Sequence, residues 1–179
     1  MNKKNEIIYV FIDASNLWEV QKSKGKLFDY RKFTNFIKNK FDVDDAKIFY
    51  YSAYPGEGTR ENGILSKQKF FLFLENSLGF TVRKKKLKRI IIYSNNRKVI
   101  MEKGNMDVEI TIDAIHNIDK YNTAILCSGD SDFLALVGHL KVFGKKVYIF
   151  SSVKNISEEL RTGGDGYFEI LDIEDNIWL

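Results

Sequence analysis

The chain has 179 residues, 44% of them hydrophobic and 29% charged, with 28 lysines and arginines against 24 aspartates and glutamates. That length supports a single domain, residues 1–179, with a sizeable core, and the composition excludes a disordered chain. No apolar run approaches the roughly 20 residues of a membrane span. The polar segment Met1 to Glu6 leads straight into a strand pattern instead of a signal peptide, so a cytoplasmic protein with no membrane partner is expected. The lone Cys127 cannot form an internal disulfide and suits a reducing compartment, as a small core residue and not a nucleophile.

The net charge of +4 is local. Arg83, Lys84, Lys85, Lys86, Lys88 and Arg89 supply six cations in seven residues, and removing them leaves 22 basic against 24 acidic residues, a balance of −2. Such a segment is either a solvated face or the docking place of an anionic partner.

In chain order, Ile7 to Ile12 is an unbroken β-rich run, expected as a central strand of a parallel sheet buried on both faces. It ends at Asp13-Ala14-Ser15-Asn16, a carboxylate at the C-terminal end of a strand. Asp13 there is either a turn or cap residue or part of a site. Trp18 to Lys26 is polar and reads as a loop or short helix. Asp29 caps a helix whose Tyr30, Phe33, Phe36 and Ile37 share a face. Ala46 to Ala53 is the second strand, Pro55 to Gly58 a loop, and Arg60 to Leu78 a long helix stopped by Gly79. Phe70, Phe71 and Phe73 belong to the core and not to a base-stacking platform.

Phe80 to Arg83 starts a third strand that runs into the basic segment. Ile90 to Met101 resembles a hairpin turning at Asn95-Asn96. Met106, Val108, Ile110 and Ile112 alternate as in a strand, but the stretch from Asn105 to Asp119 is long enough to favour a helix capped by Asn105. Asp107 then sits in its first turn. Asp113, six positions on, lies about 120° around the helix from Asp107, so the two cannot chelate one ion. Residues 122–127 form a strand, 131–143 a helix ended by Gly144, and 145–150 a further strand. Ile156 to Arg161 is a short helix capped by Asn155 or Ser157, Gly163 to Gly166 a turn, and Phe168 to Leu171 an edge strand.

The pivotal stretch is Ser128-Gly129-Asp130-Ser131-Asp132-Phe133. It places two carboxylates between a strand and a helix, at the sheet edge where open α/β folds bind ligands. Asp130 could simply cap the helix, with Asp132 an ordinary first-turn acid. The element order gives an α/β class with a mainly parallel sheet, so Asp13, Asp130 and Asp132 share one edge, and Asp107 reaches it if its helix points there. Several carboxylates converging on one spot need a cation. Mg²⁺ or Mn²⁺ suits an all-oxygen set, whereas zinc would want cysteines or paired histidines, and His116 and His139 are far apart in sequence.

Together these motifs, Asp13-Ala-Ser-Asn16, Lys103-Gly104-Asn105-Met106-Asp107-Val108 and Ser128 to Phe133, resemble the NYN domains, and more closely the LabA-like branch of the PIN-like nuclease superfamily. They occur in the family's order and span nearly the whole chain. The resemblance implies a three-layer α/β/α sandwich and a metal-dependent ribonuclease site. The family's acids fall on Asp13, Asp107, Asp130 and Asp132, its polar first-motif position on Asn16, and a further acid on Asp113. Ser157 to Asp165 loosely matches its C-terminal segment. The chain departs from the pattern by placing two residues, Asn105 and Met106, between the glycine and Asp107.

The chemistry so implied is hydrolysis of an RNA phosphodiester with Mg²⁺ or Mn²⁺. Asp13 and Asp130 would be direct ligands, and Asp132 and Asp107 would be ligands directly or through water. Asn16 would donate to a phosphate oxygen or a metal water, Lys103 would offset transition-state charge, and Ser128 would support the turn. The basic segment would hold the backbone of RNA, single-stranded by preference, with little sequence selectivity. Neither a monomer nor a homodimer is specified. The alternative is an RNA-binding or regulatory module of the same fold with little or no catalysis. Phosphatase, TOPRIM and von Willebrand-type sites fit less well, because Ser15, Asp13 and Leu17 stand where those sites want Asp, Glu and Ser.

Overall fold

Strand β1 (Ile8–Asp13) is buried along its whole length, which is why its sequence lacks polar alternation. The structure, a computed structural model, describes residues 6–54, 61–94, 97–173 and 177–179, and the side chains of 61–64, 92–94 and 97–103 lie outside that description. The expected Pro55 to Gly58 loop, the Asn95-Asn96 turn and the Lys103 side chain therefore lie outside the described residues.

After β1 come α1 (Ala14–Lys24), α2 (Tyr30–Phe41), β2 (Ala46–Tyr54), α3 (Glu61–Leu78) and β3 (Thr81–Lys86). Then follow β4 (Lys88–Ser94), β5 (Arg97–Lys103), α4 (Asp107–His116) and β6 (Thr123–Cys127). A 3₁₀ turn (Ser131–Phe133), α5 (Leu134–Val142), β7 (Lys146–Ser151), α6 (Glu158–Gly163) and β8 (Gly166–Glu169) complete the chain. Six strands pair in the order β3-β2-β1-β6-β7-β8, every neighbouring pair parallel. The separate β4–β5 hairpin is antiparallel, and an isolated antiparallel bridge joins Phe28 to Trp178.

The two faces of the sheet are read from strand parity. Ile8, Val10 and Ile12 pack with Leu17, Phe33, Ile37 and Leu74, which puts α1, α2 and α3 on one face. Tyr9 and Phe11 pack with Ile110, Phe133, Val137 and Leu160, which puts α4, α5 and α6 on the other. The result is the three-layer α/β/α sandwich. Fully buried rings such as Phe11 and Phe33 each contribute about 1.5–3 kcal/mol of transfer free energy. The strand order reverses between β1 and β6, so the crevice at their C-terminal ends is where such a sheet offers a binding site.

Several boundaries differ from expectation. Residues 14–24 are a full helix, not a loop or short helix, because Asp13 caps it and Leu17 and Val20 anchor it. Asn105 does not cap α4; Met106 holds that position and supplies no side-chain bond. The third strand runs on through most of the basic segment: Arg83 to Lys86 belong to β3, the edge of the sheet, where lysines discourage pairing with another chain, and Lys88 and Arg89 open β4.

Candidate metal and RNA site

β1 and β6 pair with Ile12 beside Cys127, so Asp13 and Ser128 follow as neighbours at the strand ends. The Ser128 hydroxyl donates to Asp13 Oδ2 at 3.2 Å and accepts the Asp130 amide at 3.3 Å, joining the first and third motifs. Asp13, only 5% exposed, also accepts the Ser15 amide at 3.0 Å, the Ser15 hydroxyl at 2.6 Å and the Asn16 amide at 3.4 Å. It is therefore an N-cap of α1 and a member of the site edge at once. Asn16 turns its Oδ1 to the Ser151 hydroxyl at 3.4 Å.

Asp130 does cap the following turn, accepting the Asp132 amide at 3.0 Å. That role does not take it out of the cluster. One carboxylate oxygen each from Asp107, Asp130 and Asp132 lie within 4.8 Å of one another. Asp107 enters from the first turn of α4, held by the Asn105 side-chain amide. Its carboxyl is pushed up to about 6, first by burial and then by the negative charges of Asp13, Asp130, Asp132 and Glu109. Three hard oxygen donors at this spacing suit a Mg²⁺- or Mn²⁺-sized ion, and they leave open positions for water and substrate. Asp13 stands outside this three-oxygen group, close enough to bear on Asp107 electrostatically.

Gly129 permits the turn. A Cβ there would lie 2.3 Å from the Asn155 carbonyl oxygen and 2.7 Å from the Ser151 hydroxyl. The Gly129 carbonyl in turn accepts the Ser157 amide at 3.2 Å, so the chain before α6 braces the acidic turn.

Asp113 goes elsewhere. It is 9% exposed, accepts the Tyr51 hydroxyl at 2.9 Å, and meets Arg83 in a two-point ion pair at 2.9 and 3.1 Å. Tyr51 and Arg83 are register partners on β2 and β3, so α4 is pinned to the sheet through them. Replacing Asp113 with alanine would leave a fully buried tyrosine hydroxyl without its acceptor. The expected loss is about 2–3 kcal/mol, read by urea unfolding, below the buried-pair maximum because Arg83 is half exposed. The response of the variant to Mn²⁺ should match wild type; a lost response would put Asp113 in the site.

Arg83, Lys84 and Lys85 are ion-paired within the molecule. Arg83 and Lys85 face α4 and meet Asp113 and Glu109, the latter at 2.7 Å. Lys84, on the opposite parity, meets Glu75 of α3 at 3.2 Å and lies 5.4 Å from the Phe71 ring. Lys86 ends β3, and Lys88 and Arg89 open β4; all three residues are exposed. Sequence reasoning missed these pairings, and it missed Ser15, Trp18 and Lys67 around the same edge. The polar look of 18–26 hid the helical placement of Trp18.

The molecule is thus a parallel α/β sandwich with an acidic cluster at its strand-order reversal. The family model for the NYN domain matches residues 7–172, and the chain belongs to that family. It is 30% identical over 164 residues to the low amplitude and bright protein LabA of Synechococcus elongatus, an alignment covering 92% of this chain and 83% of LabA. A crystal structure of a Vibrio parahaemolyticus protein of unknown function superposes with a TM-score of 0.69 at 26% identity, covering 100% of both chains. No helix among the described residues is long and apolar enough to cross a membrane.

Proposed function

We propose that the protein is a ribonuclease that hydrolyses phosphodiester bonds of single-stranded RNA with Mg²⁺ or Mn²⁺ held by Asp107, Asp130 and Asp132, with Asp13 and Asn16 beside them. The observation that carries this reading is the convergence of the three carboxylates, with the Asp107 carboxyl raised to about 6 by burial and by its acidic neighbours. A bound divalent ion would lower the pKa of a water and draw charge from the phosphate oxygens. The chain's own part is positional. Ser128 ties Asp13 to the acidic turn, Asp130 shapes that turn, and Asn105 steers Asp107. Lys103, the last residue of β5, stands one glycine before Asn105 and would offset charge on the phosphate.

Arg83, Lys84 and Lys85 keep 50%, 38% and 36% of their side chains exposed while ion-paired, so with Lys86, Lys88 and Arg89 they can still meet an RNA backbone. Reversing Lys84 or Lys85 to glutamate would set like charges against Glu75 and Glu109; glutamine is the better probe of RNA contact. A non-catalytic RNA-binding module is the second reading, supported by the capping roles of Asp13 and Asp130, which such a module would keep for folding alone.

The cluster makes a pH-dependent prediction. The folded Asp107 carboxyl titrates near 6 against an ordinary 3.8, so its protonated form stabilises the metal-free fold below pH 4 and that stability is lost as pH rises through 6. In chelator, Asp107→Asn should therefore unfold at higher urea than wild type at pH 7.5, and the gap should close at pH 4. With millimolar Mn²⁺ at pH 7.5 the order should reverse, because the ion stabilises only the intact site. Equal curves for both proteins in all conditions would remove the metal site.

A further inference from the structure

A cleft of about 320 Å³ opens beside Asp13, with none of the three converging acids in its lining. Its volume lies in the range of pockets that take small ligands, roughly 300–1,000 Å³. Asp13 and Asn105 are shared between its wall and the acidic edge, so a strand crossing the site could enter it directly. Two of its residues are out of place in a purely structural wall. Trp18, on the second turn of α1, is 51% exposed, although its neighbours Leu17 and Val20 are buried. Lys67 of α3 is half-buried; its ammonium donates to the Ala53 carbonyl at 3.1 Å and makes no ion pair among the described residues. Burial holds its pKa below the ordinary lysine value.

An aromatic face and a cation in one small cleft are the complement of a nucleotide. Exposed aromatic rings stack on any base, and an ammonium meets a phosphate. A paired base could not leave its helix to reach the ring without unstacking. We propose that this cleft receives one unpaired nucleotide of the RNA strand, its base lying on Trp18 and its phosphate meeting Lys67. The proposal rests on the reading of the acidic edge as an RNA-cleaving site and adds where one unpaired nucleotide of the strand is held.

The test needs no catalysis. A single-stranded 12-mer oligoribonucleotide is titrated into the whole protein in EDTA, with tryptophan fluorescence and anisotropy of the labelled RNA read together. Trp178, the other tryptophan, is 2% exposed, so a change in emission reports Trp18. We expect quenching by the single strand and none by a duplex of the same sequence. Trp18→Ala should lose about tenfold in affinity, within the span of base–aromatic stacking, and Trp18→Phe should stay within about threefold of wild type. Lys67→Gln should weaken binding and lower the salt slope by about 0.7, the share of one phosphate on a single strand. If the RNA binds by anisotropy while emission is unchanged and Trp18→Ala keeps full affinity, the cleft assignment is wrong and the cleavage reading stands. If wild type neither binds nor cleaves the RNA with Mn²⁺, both fall.

Discussion

Asp132→Asn is expected to lower Mn²⁺-dependent cleavage of single-stranded RNA by about a hundredfold or more, with RNA affinity within about twofold of wild type. The substitution is nearly isosteric and removes one of the three clustered carboxylates. It is the cleanest of the acidic variants because Asp132 is exposed and its side chain makes no hydrogen bond among the described residues. Asp13 and Asp130 each hold backbone amides, so their variants mix a folding effect with a chemical one. Chelated wild type should behave like Asp132→Asn with metal, because both lack the ion that activates water. Undiminished cleavage by Asp132→Asn, in a preparation free of other ribonucleases, would move the chemistry to another part of the molecule.

Gly129→Ala should destabilise the fold by about 2–3 kcal/mol, in the upper range for forced overpacking. In a domain of this size that is roughly a 5–10 °C fall in melting temperature. The cause is specific: the new methyl would stand 2.3 Å from a backbone carbonyl, and neither Asn155 nor the turn can give way by rotating a side chain. Because Asp130 is the next residue, relief of that contact shifts the acidic turn, and the Mn²⁺-induced rise in melting temperature should shrink in parallel. A variant with wild-type stability would mean that the segment before α6 does not brace the turn. The contrast with Asp132→Asn is informative, since one variant loses chemistry with the fold intact and the other loses both.

How much of this was legible in the sequence depended on the range of the interaction. The central strand ending in Asp13 and the strand–turn–helix around Asp130 were readable, because an unbroken apolar run and a tight acidic turn are local signals. The cap at Asp29 was readable for the same reason. Helix α1 was obscured because only Leu17 and Val20 are buried along its 11 residues, too few to impose a visible period. The neutralisation of Arg83, Lys84 and Lys85 could not be read at all. It depends on β3 lying in register against β2 as an edge strand, and on α3 and α4 flanking it on opposite faces. The divergence of Asp107 and Asp113 was readable from their spacing on one helix, but the partners that take up Asp113 were not. One helix carries both, yet one carboxylate joins the acidic edge and the other pins the helix to Tyr51 and Arg83.

The central claim is that Asp107, Asp130 and Asp132 hold a divalent ion that turns water on an RNA phosphodiester. The most direct measurement is cleavage of an end-labelled single-stranded RNA across a Mn²⁺ titration, with the chemical ends of the products determined. Attack by water predicts saturable Mn²⁺ dependence, full reversal by EDTA, and products free of 2′,3′-cyclic phosphate; a 2′-deoxy residue at the cut should still be cleaved. Cleavage that persists in EDTA, or that leaves cyclic phosphate ends, would contradict the account, as would intact RNA at saturating Mn²⁺.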